Sequence, residues 1–197
     1  KITEKPGRIQ TYNLGGVEGN HTYFANGILV HNKDEGGCCF ASDQIVFIPD
    51  SKVKIAEINA NDNVISYDEK TNKFTTSIVG EVIVHNGKKD KINNFIKDPL
   101  VKVSVKVNNK IYETKVTDNH PYFDPVEGKY KQLRNFKIGD KIMTIGGEGL
   151  IIGKEVLIDA NSPAEVQREV VYNLHIKEGP HNYVVNGAVV HNEGGGK

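Results

Sequence analysis

The chain has 197 residues, 25 basic and 25 acidic side chains, no tryptophan, and two cysteines, Cys38 and Cys39. This length suits one or two domains that bury a core without disulfide bridges, and adjacent cysteines disfavour a disulfide framework because a vicinal disulfide is strained. The balanced charge argues against nucleic acid or a membrane surface as partner. No apolar run approaches the roughly 20 residues of a membrane helix.

Short strand signals run along the whole chain. Stretches rich in valine and isoleucine, with partial alternation of apolar and polar residues, predict an all-β domain. Only residues 51–58 and 129–136 could form a turn or two of helix. The strand candidates, in chain order, are QIVFI at 44–48, NVISYD at 63–68, SIVGEVIVH at 77–85, LVKVSVKVNNKIYETKVT at 100–117, DKIMTI at 140–145 and VVYNLHI at 170–176.

Asparagine pairs mark the hairpin turns between these strands. Asn-Gly is the strongest two-residue hairpin signal, because both residues readily adopt positive φ. The Asn-Asn pair at 108–109 predicts a further turn. The Asn-Gly pairs lie at 26–27, 86–87 and 186–187.

Two internal repeats appear in the sequence. Residues 11–32 align without gaps on residues 171–192, and both copies end in Val-His-Asn. A weaker repeat aligns residues 57–66 on 135–144, each with a short hydrophobic turn, then Asp, then a strand start. The second repeat predicts two halves built on one plan, as a barrel-like sheet with a pseudo-twofold axis.

Glycine-rich runs mark the ends of the predicted folded unit. EGG at 35–37 and EGGGK at 193–197 are typical of flexible linkers. We expect a folded domain at 39–192, a linker at 33–38 and a C-terminal flank at 193–197. Residues 1–32 look like the tail of an upstream copy. Because the chain does not begin with methionine, we expect it to be part of a longer polypeptide.

The last hairpin places a histidine beside the final asparagine. If residues 186–187 form a two-residue turn, counting outward places His181 opposite Asn192. The next pair inward is Asn182 with His191. Cross-strand Cβ atoms lie about 4.5–5.5 Å apart, so an imidazole would lie beside the carboxamide.

Asn192 could cut the chain after itself. Its side-chain nitrogen can attack its own main-chain carbonyl carbon, which gives a succinimide. A nearby histidine that moves the proton typically accelerates such a step by about 10²–10⁴-fold. Histidine and asparagine at strand ends are ordinary turn residues in most proteins, but the repeated 22-residue frame favours the reactive interpretation here.

Cys39 stands where a strand begins. Its thiol could attack the carbonyl carbon of the preceding peptide bond, between Cys38 and Cys39, in an N-to-S acyl shift that gives a thioester. Because the equilibrium favours the amide, the site would have to strain the amide or stabilise the oxyanion. Proximity makes the attack feasible. The alternative is an inert, buried cysteine.

The segment TDNHPYF, at 117–123, carries two further candidates. Pro121 favours extended backbone at His120, so the turn can aim an imidazole and the Thr117 hydroxyl at one peptide bond. We expect His120 to protonate the departing nitrogen of Cys39, and Thr117 with nearby backbone to polarise the carbonyl. A Thr-x-x-His segment is otherwise an ordinary surface turn.

Three motifs, taken in this order, resemble the Hint (hedgehog/intein) domain. They are Cys-Phe at 39–40, Thr-x-x-His-Pro at 117–121, and Tyr-x-Leu…His-x-Tyr…Asn-Gly…Val-His-Asn within 172–192. The resemblance covers residues 39–192, too short to hold a homing endonuclease, and is more similar to bacterial intein-like domains ending in His-Asn than to a standard intein. It implies a horseshoe-like all-β fold and no cofactor or metal.

The resemblance also implies roles for particular residues. Three features of the sequence depart from the family pattern. Glu193 follows the last asparagine where inteins have Cys, Ser or Thr, and Asn173 stands where the family often has Asp. Cys38 precedes Cys39, and the spacing to Val46 favours Cys39 as the nucleophile. The implied site residues are Cys39, Thr117 and His120 at the N-terminal junction, and His181, His191 and Asn192 at the C-terminal junction.

The predicted function is autocatalytic protein processing. The domain would cut between Cys38 and Cys39 and between Asn192 and Glu193, with minor ligation of the flanks, so its substrate is its own flanking polypeptide. One alternative is an inactive structural Hint module within a large surface or toxin-like protein. Another is a hydrolase with a Cys39–His120 pair acting on other substrates.

We expect a monomer, inside a larger bacterial host polypeptide. Residues 11–32 share the terminal hairpin and offer a route to domain swapping between chains. They precede both cysteines of the chain, so we expect no N-terminal chemistry from that copy. No nucleic acid, membrane, metal or cofactor is expected as partner.

Overall fold

A computed structural model describes residues 38–85, 95 and 98–192, and the main chain of residues 22–25 and 28–31. Within these ranges the chain forms antiparallel strands and short 3-10 helices but no α-helix, and no helix there could cross a membrane. The strands are β1 Thr22–Ala25, β2 Ile28–His31, β3 Phe40–Ala41, β4 Ile45–Ile48, β5 Ser51–Lys54, β6 Asn63–Asp68, β7 Lys73–His85, β8 Leu100–Val107, β9 Lys110–Thr117, β10 Pro121–Asp124, β11 Lys129–Gln132, β12 Lys141–Thr144, β13 Gly147–Ile158, β14 Val171–Glu178, β15 Asn182–Val185 and β16 Ala188–His191. The 3-10 helices are Ile55–Glu57, Leu133–Asn135 and Val166–Arg168.

The hairpin β1–β2 lies in the first of two compact units into which the chain divides. Its register pairs Thr22 with His31 and Ala25 with Ile28. The terminal hairpin β15–β16 has the same register at the aligned positions. The predicted turn at 26–27 lies outside the described residues, and the role of residues 1–32 as a tail stays a prediction.

The second unit contains one continuous antiparallel sheet. Its strands follow the order β5-β4-β15-β16-β12-β13-β8-β9-β3-β14-β7-β6, and β10 and β11 join it through β16. Neighbouring strands are far apart in sequence where β3 lies between β9 and β14. The predicted all-β fold is confirmed.

Alternation along β8 shows how the core forms. Val101, Val103, Val105 and Val107 are buried, whereas the residues between them are more exposed. Successive side chains of a strand point to opposite faces, so one face of β8 supplies the core. Burying each such valine stabilises the fold by about 1.5–3 kcal/mol relative to leaving it in water.

The turns follow the asparagine pairs. Asn186 and Gly187 have φ of 45° and 85° and close a two-residue turn between β15 and β16. Asn108 has φ of 53° in the turn between β8 and β9. Both predicted turns are confirmed, whereas the Asn-Gly pair at 86–87 lies outside the described residues.

The first half of each segment with a helix option is strand. Residues 51–54 and 129–132 form β5 and β11, each followed by a single 3-10 turn. Hairpin pairing with β4 and β10 satisfies their backbone groups, whereas an isolated helix this short is marginal in water.

The two segments of the weaker sequence repeat share one local hydrogen bond. After each of the first two 3-10 turns, an aspartate accepts a main-chain N–H three residues before it. The Asn59 N–H donates to Asp62 Oδ2 at 2.8 Å, and the Lys137 N–H donates to Asp140 Oδ2 at 2.7 Å. The aligned aspartates therefore close the same turn, while the pseudo-twofold relation of whole halves stays a prediction.

Candidate active site

Strand order places Cys39 between two parts of the site. Phe40, in β3, pairs with Val116 of β9 on one side and with Tyr172 of β14 on the other. Cys39 comes directly before β3, so it lies between the end of β9 and the start of β14. Its side chain is fully buried in a small apolar cluster. The other members of this cluster are Phe95, Leu100, Ile158 and Val171.

Thr117, the last residue of β9, holds the nitrogen side of the Cys38–Cys39 peptide bond. Its hydroxyl oxygen accepts the Cys39 N–H at 2.8 Å and donates to the Cys39 carbonyl at 3.3 Å. The Thr117 N–H also donates to that carbonyl at 2.8 Å. The expectation that Thr117 polarises the Cys38 carbonyl therefore differs from the structure, in which the hydroxyl contacts the amide nitrogen.

Asn173, which sequence reasoning did not include in the site, holds the carbonyl side of the same bond. Its Nδ2 donates to the Cys38 carbonyl oxygen at 2.6 Å. Asn173 is fully buried on β14. One signal in the sequence pointed to this residue: it is an asparagine where the family that the sequence resembles often has an aspartate. An amide nitrogen can donate a hydrogen bond, whereas an ionised carboxylate only accepts.

The turn that carries Thr117 and His120 is held in place by residues outside the turn. The Leu133 N–H donates to the His120 carbonyl at 3.0 Å, and the Arg134 N–H donates to the Asp118 carbonyl at 2.7 Å. The Arg134 guanidinium also forms ion pairs with Asp98 and Asp118. These contacts fix the backbone of the turn, so the positions of both side chains follow from it.

His120 joins the two junctions. It is fully buried, with its ring 4.3 Å from the Phe40 ring, and its Nε2 lies 3.1 Å from the His191 carbonyl oxygen. Pairing of Tyr122 with Val190 holds β10 against β16 and so brings His120 to the terminal hairpin. The histidine predicted for the N-terminal junction therefore also contacts the C-terminal one.

Burial changes the titration of this histidine. Burial, with a smaller contribution from the neighbouring His191, lowers the pKa of His120 from 6.5 to about 3. Main-chain hydrogen bonds with Cys38 and His191 raise the pKa and only partly offset the loss of hydration. His120 is therefore neutral at pH 7.

The low pKa of His120 predicts a loss of stability in acid. Between about pH 6.5 and pH 3 the unfolded chain binds one proton more at His120 than the folded chain. The free energy of unfolding therefore falls by up to about 1.4 kcal/mol for each unit that the pH falls through this window. The acid limb is this fall in the free energy of unfolding below about pH 6.5. In a chain with Cys39→Ala and Asn192→Ala, so that no bond breaks, His120→Gln should make the acid limb less steep. Urea unfolding at several pH values measures it.

A matched control for this prediction is His175→Gln, a change at a half-buried histidine of β14. The pH dependence of its unfolding free energy is the reference with which that of the His120→Gln chain is compared. An equally steep limb in the His120→Gln chain would show that His120 titrates normally.

The terminal hairpin has the predicted register. Asn182 pairs with His191, and the Asn192 N–H donates to the His181 carbonyl at 3.1 Å. Asn192 is buried, and His191 Nδ1 lies 2.7 Å from the Asn192 carbonyl oxygen. The imidazole that contacts the Asn192 carbonyl therefore belongs to His191, the residue before the asparagine.

His191 and His181 share a cleft beside the terminal asparagine. The ring of His191 packs edge-on against Tyr130, with 4.7 Å between ring centroids, while His181 is exposed. Burial lowers the pKa of His191, and His181 lowers it too, whereas the Asn192 main chain and the charge of Glu69 raise it. The cleft is lined by Tyr67, Asp68, Glu69, Lys70, Tyr130, Gly179, Pro180, His181 and His191.

Asn182, the second residue of the other His-Asn pair in this hairpin, has a structural role. Its Oδ1 accepts the Tyr67 N–H at 2.7 Å, and its Nδ2 donates to the Tyr67 carbonyl at 2.8 Å. This two-bond contact ties β15 to β6. The asparagines of the two His-Asn pairs therefore differ in their surroundings: Asn182 is bound to β6, whereas Asn192 lies at the predicted C-terminal junction.

The structure brings most of the predicted site residues together in two groups. Cys39 contacts Thr117, and His120 contacts the main chain of His191, which contacts Asn192. His181 faces Asn192 through its main chain. Within the described ranges, Cys38 and Cys39 form no disulfide, and no cluster of three or more His, Cys, Asp or Glu could hold a metal ion.

Several solved structures are similar to this chain. A bacterial intein-like domain from Clostridium thermocellum has a TM-score of 0.61 at 21% identity, covering 80% of this chain and 100% of that one. A DnaB intein from Synechocystis sp. has a TM-score of 0.60 at 18% identity, covering 79% and 99%. A DnaX mini intein from Spirulina platensis has a TM-score of 0.57 at 18% identity, covering 78% and 99%. No protein-family model and no curated protein matches the sequence.

These similarities, together with the all-β sheet, identify the fold. Matches over the whole length of each intein at TM-scores above 0.5 show that the chain has the Hint fold. The fold that the three motifs implied is thereby confirmed. Because one fold can host several functions, the activity has to be argued from the site.

Proposed function

We propose that residues 39–192 form an autoprocessing domain that cuts its own backbone before Cys39 and after Asn192. The observation that carries this proposal is the position of His120, whose Nε2 lies 3.1 Å from the His191 carbonyl oxygen and whose ring lies 4.3 Å from that of Phe40, the residue after Cys39. One buried imidazole thus contacts the main chain of one junction and packs against the residue that follows the cysteine of the other. Around it, each of the two peptide bonds has a side chain at hydrogen-bond distance.

The N-terminal step is an N-to-S acyl shift. The Cys39 thiol loses its proton, and its sulfur adds to the carbonyl carbon of Cys38. The bond from that carbon to the Cys39 nitrogen then breaks, the nitrogen takes up a proton, and a thioester joins Cys38 to the Cys39 sulfur. The Thr117 hydroxyl already accepts the N–H of the leaving nitrogen, and this bond strengthens when that nitrogen takes up its proton and becomes cationic, which favours its departure.

His120 moves the proton in this step. Because its pKa is about 3, it is neutral at pH 7 and can donate a proton only after accepting one during the reaction. Neutral imidazole can take the thiol proton and pass it to the Cys39 nitrogen, which leaves His120 unchanged. Such proton transfer typically contributes about 10²–10⁴-fold.

The C-terminal step is cyclisation of Asn192. Its Nδ2 loses a proton and attacks its own main-chain carbonyl carbon, the bond to the Glu193 nitrogen breaks, and that nitrogen leaves as a protonated amine. The product is a C-terminal succinimide. His191 Nδ1 lies 2.7 Å from the carbonyl oxygen, so an N–H there stabilises the negative charge that develops on it.

His181 is expected to assist this second step from the cleft. Its main chain faces Asn192, and its exposed imidazole shares the cleft with His191. His181→Ala should slow cleavage after residue 192 by about 10²-fold, the size of a lost general acid or base, and leave cleavage before Cys39 unchanged. Densitometry of the fragments over time measures both rates. An unchanged rate after residue 192 would remove His181 from the site.

Ligation of the two flanks is expected to be a minor route. The Glu193 carboxylate is a poor acyl acceptor, because the mixed anhydride it would form is less stable than the thioester. The α-amine of Glu193 can attack the thioester only after Asn192 has cyclised and while the released C-terminal fragment stays bound. With a reference pKa of about 7.7–8.0, roughly a tenth of that amine is unprotonated at pH 7. Separate fragments should therefore dominate.

Mass measurement of the purified chain, with and without an added thiol, tests this function. Fragments ending at residues 38 and 192 support self-processing. An unchanging mass would indicate an inactive structural module instead, and turnover of an added substrate would indicate a hydrolase.

A further inference from the structure

Asn173 presents its amide nitrogen to the Cys38 carbonyl in only one orientation. Its Oδ1 accepts two hydrogen bonds, from the Leu174 N–H at 2.8 Å and from the Tyr183 hydroxyl at 2.5 Å. Flipping the carboxamide would lose both bonds, because the amide nitrogen cannot accept them. The nitrogen is therefore directed at the Cys38 oxygen, at 2.6 Å.

We propose that Asn173 is the oxyanion donor of the N-terminal cleavage and that Tyr183 is its positioning residue. This inference rests on the proposed self-processing function. When the Cys39 sulfur adds to the Cys38 carbonyl carbon, negative charge develops on the oxygen that Asn173 already contacts. The N–H stays on Asn173 and no proton is transferred. A preorganised donor at such an oxygen is typically among the largest contributions to acyl transfer.

The neutral amide is what makes this role available. An ionised aspartate at the same position would have no N–H to donate and would repel the developing charge. Asn173 itself is fully buried, whereas Cys38 is half-buried. The departure from the family pattern at residue 173 therefore changes the electrostatics of the step.

Tyr183 couples the two ends of the domain. It lies on β15, opposite Val190, in the hairpin that ends at Asn192. Its ring is fully buried and lies edge-on to Phe40, the residue after Cys39, with 6.2 Å between ring centroids. The hairpin of the C-terminal junction thus orients the donor of the N-terminal junction.

The kinetic test uses the full chain with Asn192→Ala, so that only the N-terminal junction reacts. Release of the fragment ending at Cys38 by added thiol should slow by about 10²–10³-fold with Asn173→Ala. With Asn173→Asp, only the protonated carboxyl can donate, so the rate should fall as pH rises, whereas thiol ionisation should make the parent chain faster. A rate within threefold of the parent for Asn173→Ala, or a parent-like pH profile for Asn173→Asp, would overturn the assignment.

A double-mutant cycle separates positioning from a merely structural role. Tyr183→Phe should slow thiol-induced release in the parent chain but have no further effect in the Asn173→Ala chain. Tyr172→Phe, at a half-buried tyrosine of β14, is the matched control and should slow neither chain. Equal slowing by Tyr183→Phe in both chains would show that Tyr183 does not act through Asn173.

A carbon label tests the contact without relying on activity. The chain has two cysteines, so Cys39→Ala leaves Cys38 as the only site for a carbonyl-¹³C-labelled cysteine. Adding Asn173→Ala should move the single labelled NMR signal upfield, since hydrogen-bonded carbonyl carbons resonate downfield, and an unmoved signal would contradict the contact. If the parent chain releases no fragment at all, the proposed function and the oxyanion role fail together. If the parent reacts and Asn173→Ala reacts as fast, only the assignment of Asn173 fails.

Discussion

Asn192→Ala is expected to abolish cleavage after residue 192 while thiol-induced cleavage before Cys39 continues. Alanine has no side-chain nitrogen, so no succinimide can form, and hydrolysis of an unactivated peptide bond is negligible on this time scale. The N-terminal junction should be unaffected because its peptide bond is held by Thr117 and Asn173. Intact-mass measurement over time distinguishes the two cleavages.

The matched control for this change is Asn161→Ala, at an exposed asparagine, which should cleave at both junctions like the parent chain. If the Asn192→Ala chain still lost its C-terminal flank, a nucleophile other than the Asn192 carboxamide would be responsible. The role of His191 at that carbonyl would then also have to be reassigned.

Cys39→Ala is expected to abolish release of the fragment ending at Cys38, whereas Cys38→Ala should preserve it. Only Cys39 can place its sulfur on the preceding carbonyl, and the bond before it is held on both sides. Cys38 contributes its main-chain carbonyl to this bond, and that carbonyl remains in the alanine variant. Incubation with excess thiol followed by mass measurement tests both chains. If Cys38→Ala alone stopped the release, Cys38 would be the nucleophile.

Local signals predicted the hairpins well. Asn186-Gly187 requires positive φ at both positions, which asparagine and glycine tolerate, and a two-residue loop then leaves a single register. The pairing of Asn182 with His191 followed by counting alone. In contrast, the helix option at 51–58 and 129–136 was right only for one 3-10 turn in each segment, since pairing with another strand decided the conformation of the first four residues.

Long-range contacts lay beyond what the sequence could predict. The contact between Cys39 and Thr117 depends on the insertion of β3 between β9 and β14, two strands that are not its neighbours in the chain. The position of Asn173 depends further on Tyr183, which reaches it from the terminal hairpin. A motif identified which side chains could react, but only the fold shows which atom of the peptide bond each one contacts.

His120 illustrates the same limit. Its place in a Thr-x-x-His motif indicated the N-terminal junction, but the pairing of Tyr122 with Val190 also brings it to the His191 carbonyl. Its burial, which lowers its pKa to about 3, likewise follows from packing against Phe40 rather than from its neighbours in sequence. In the proposed mechanism we therefore expect the histidine to carry a proton transiently at pH 7 and not to serve as a resident acid.

The most direct test of self-processing is the chemical identity of the new ends. The wild-type chain should be incubated at neutral pH with hydroxylamine, which reacts with thioesters far faster than with amides, and the products analysed by tandem mass spectrometry. With hydroxylamine we expect a fragment ending in a Cys38 hydroxamate. In a parallel incubation without hydroxylamine, which would itself open an imide, we expect a fragment ending in an Asn192 succinimide, lighter by one water than the same fragment with a free C-terminal asparagine. An intact chain of unchanged mass in both incubations, or new ends at other residues in the incubation without hydroxylamine, would contradict self-processing by Cys39 and Asn192.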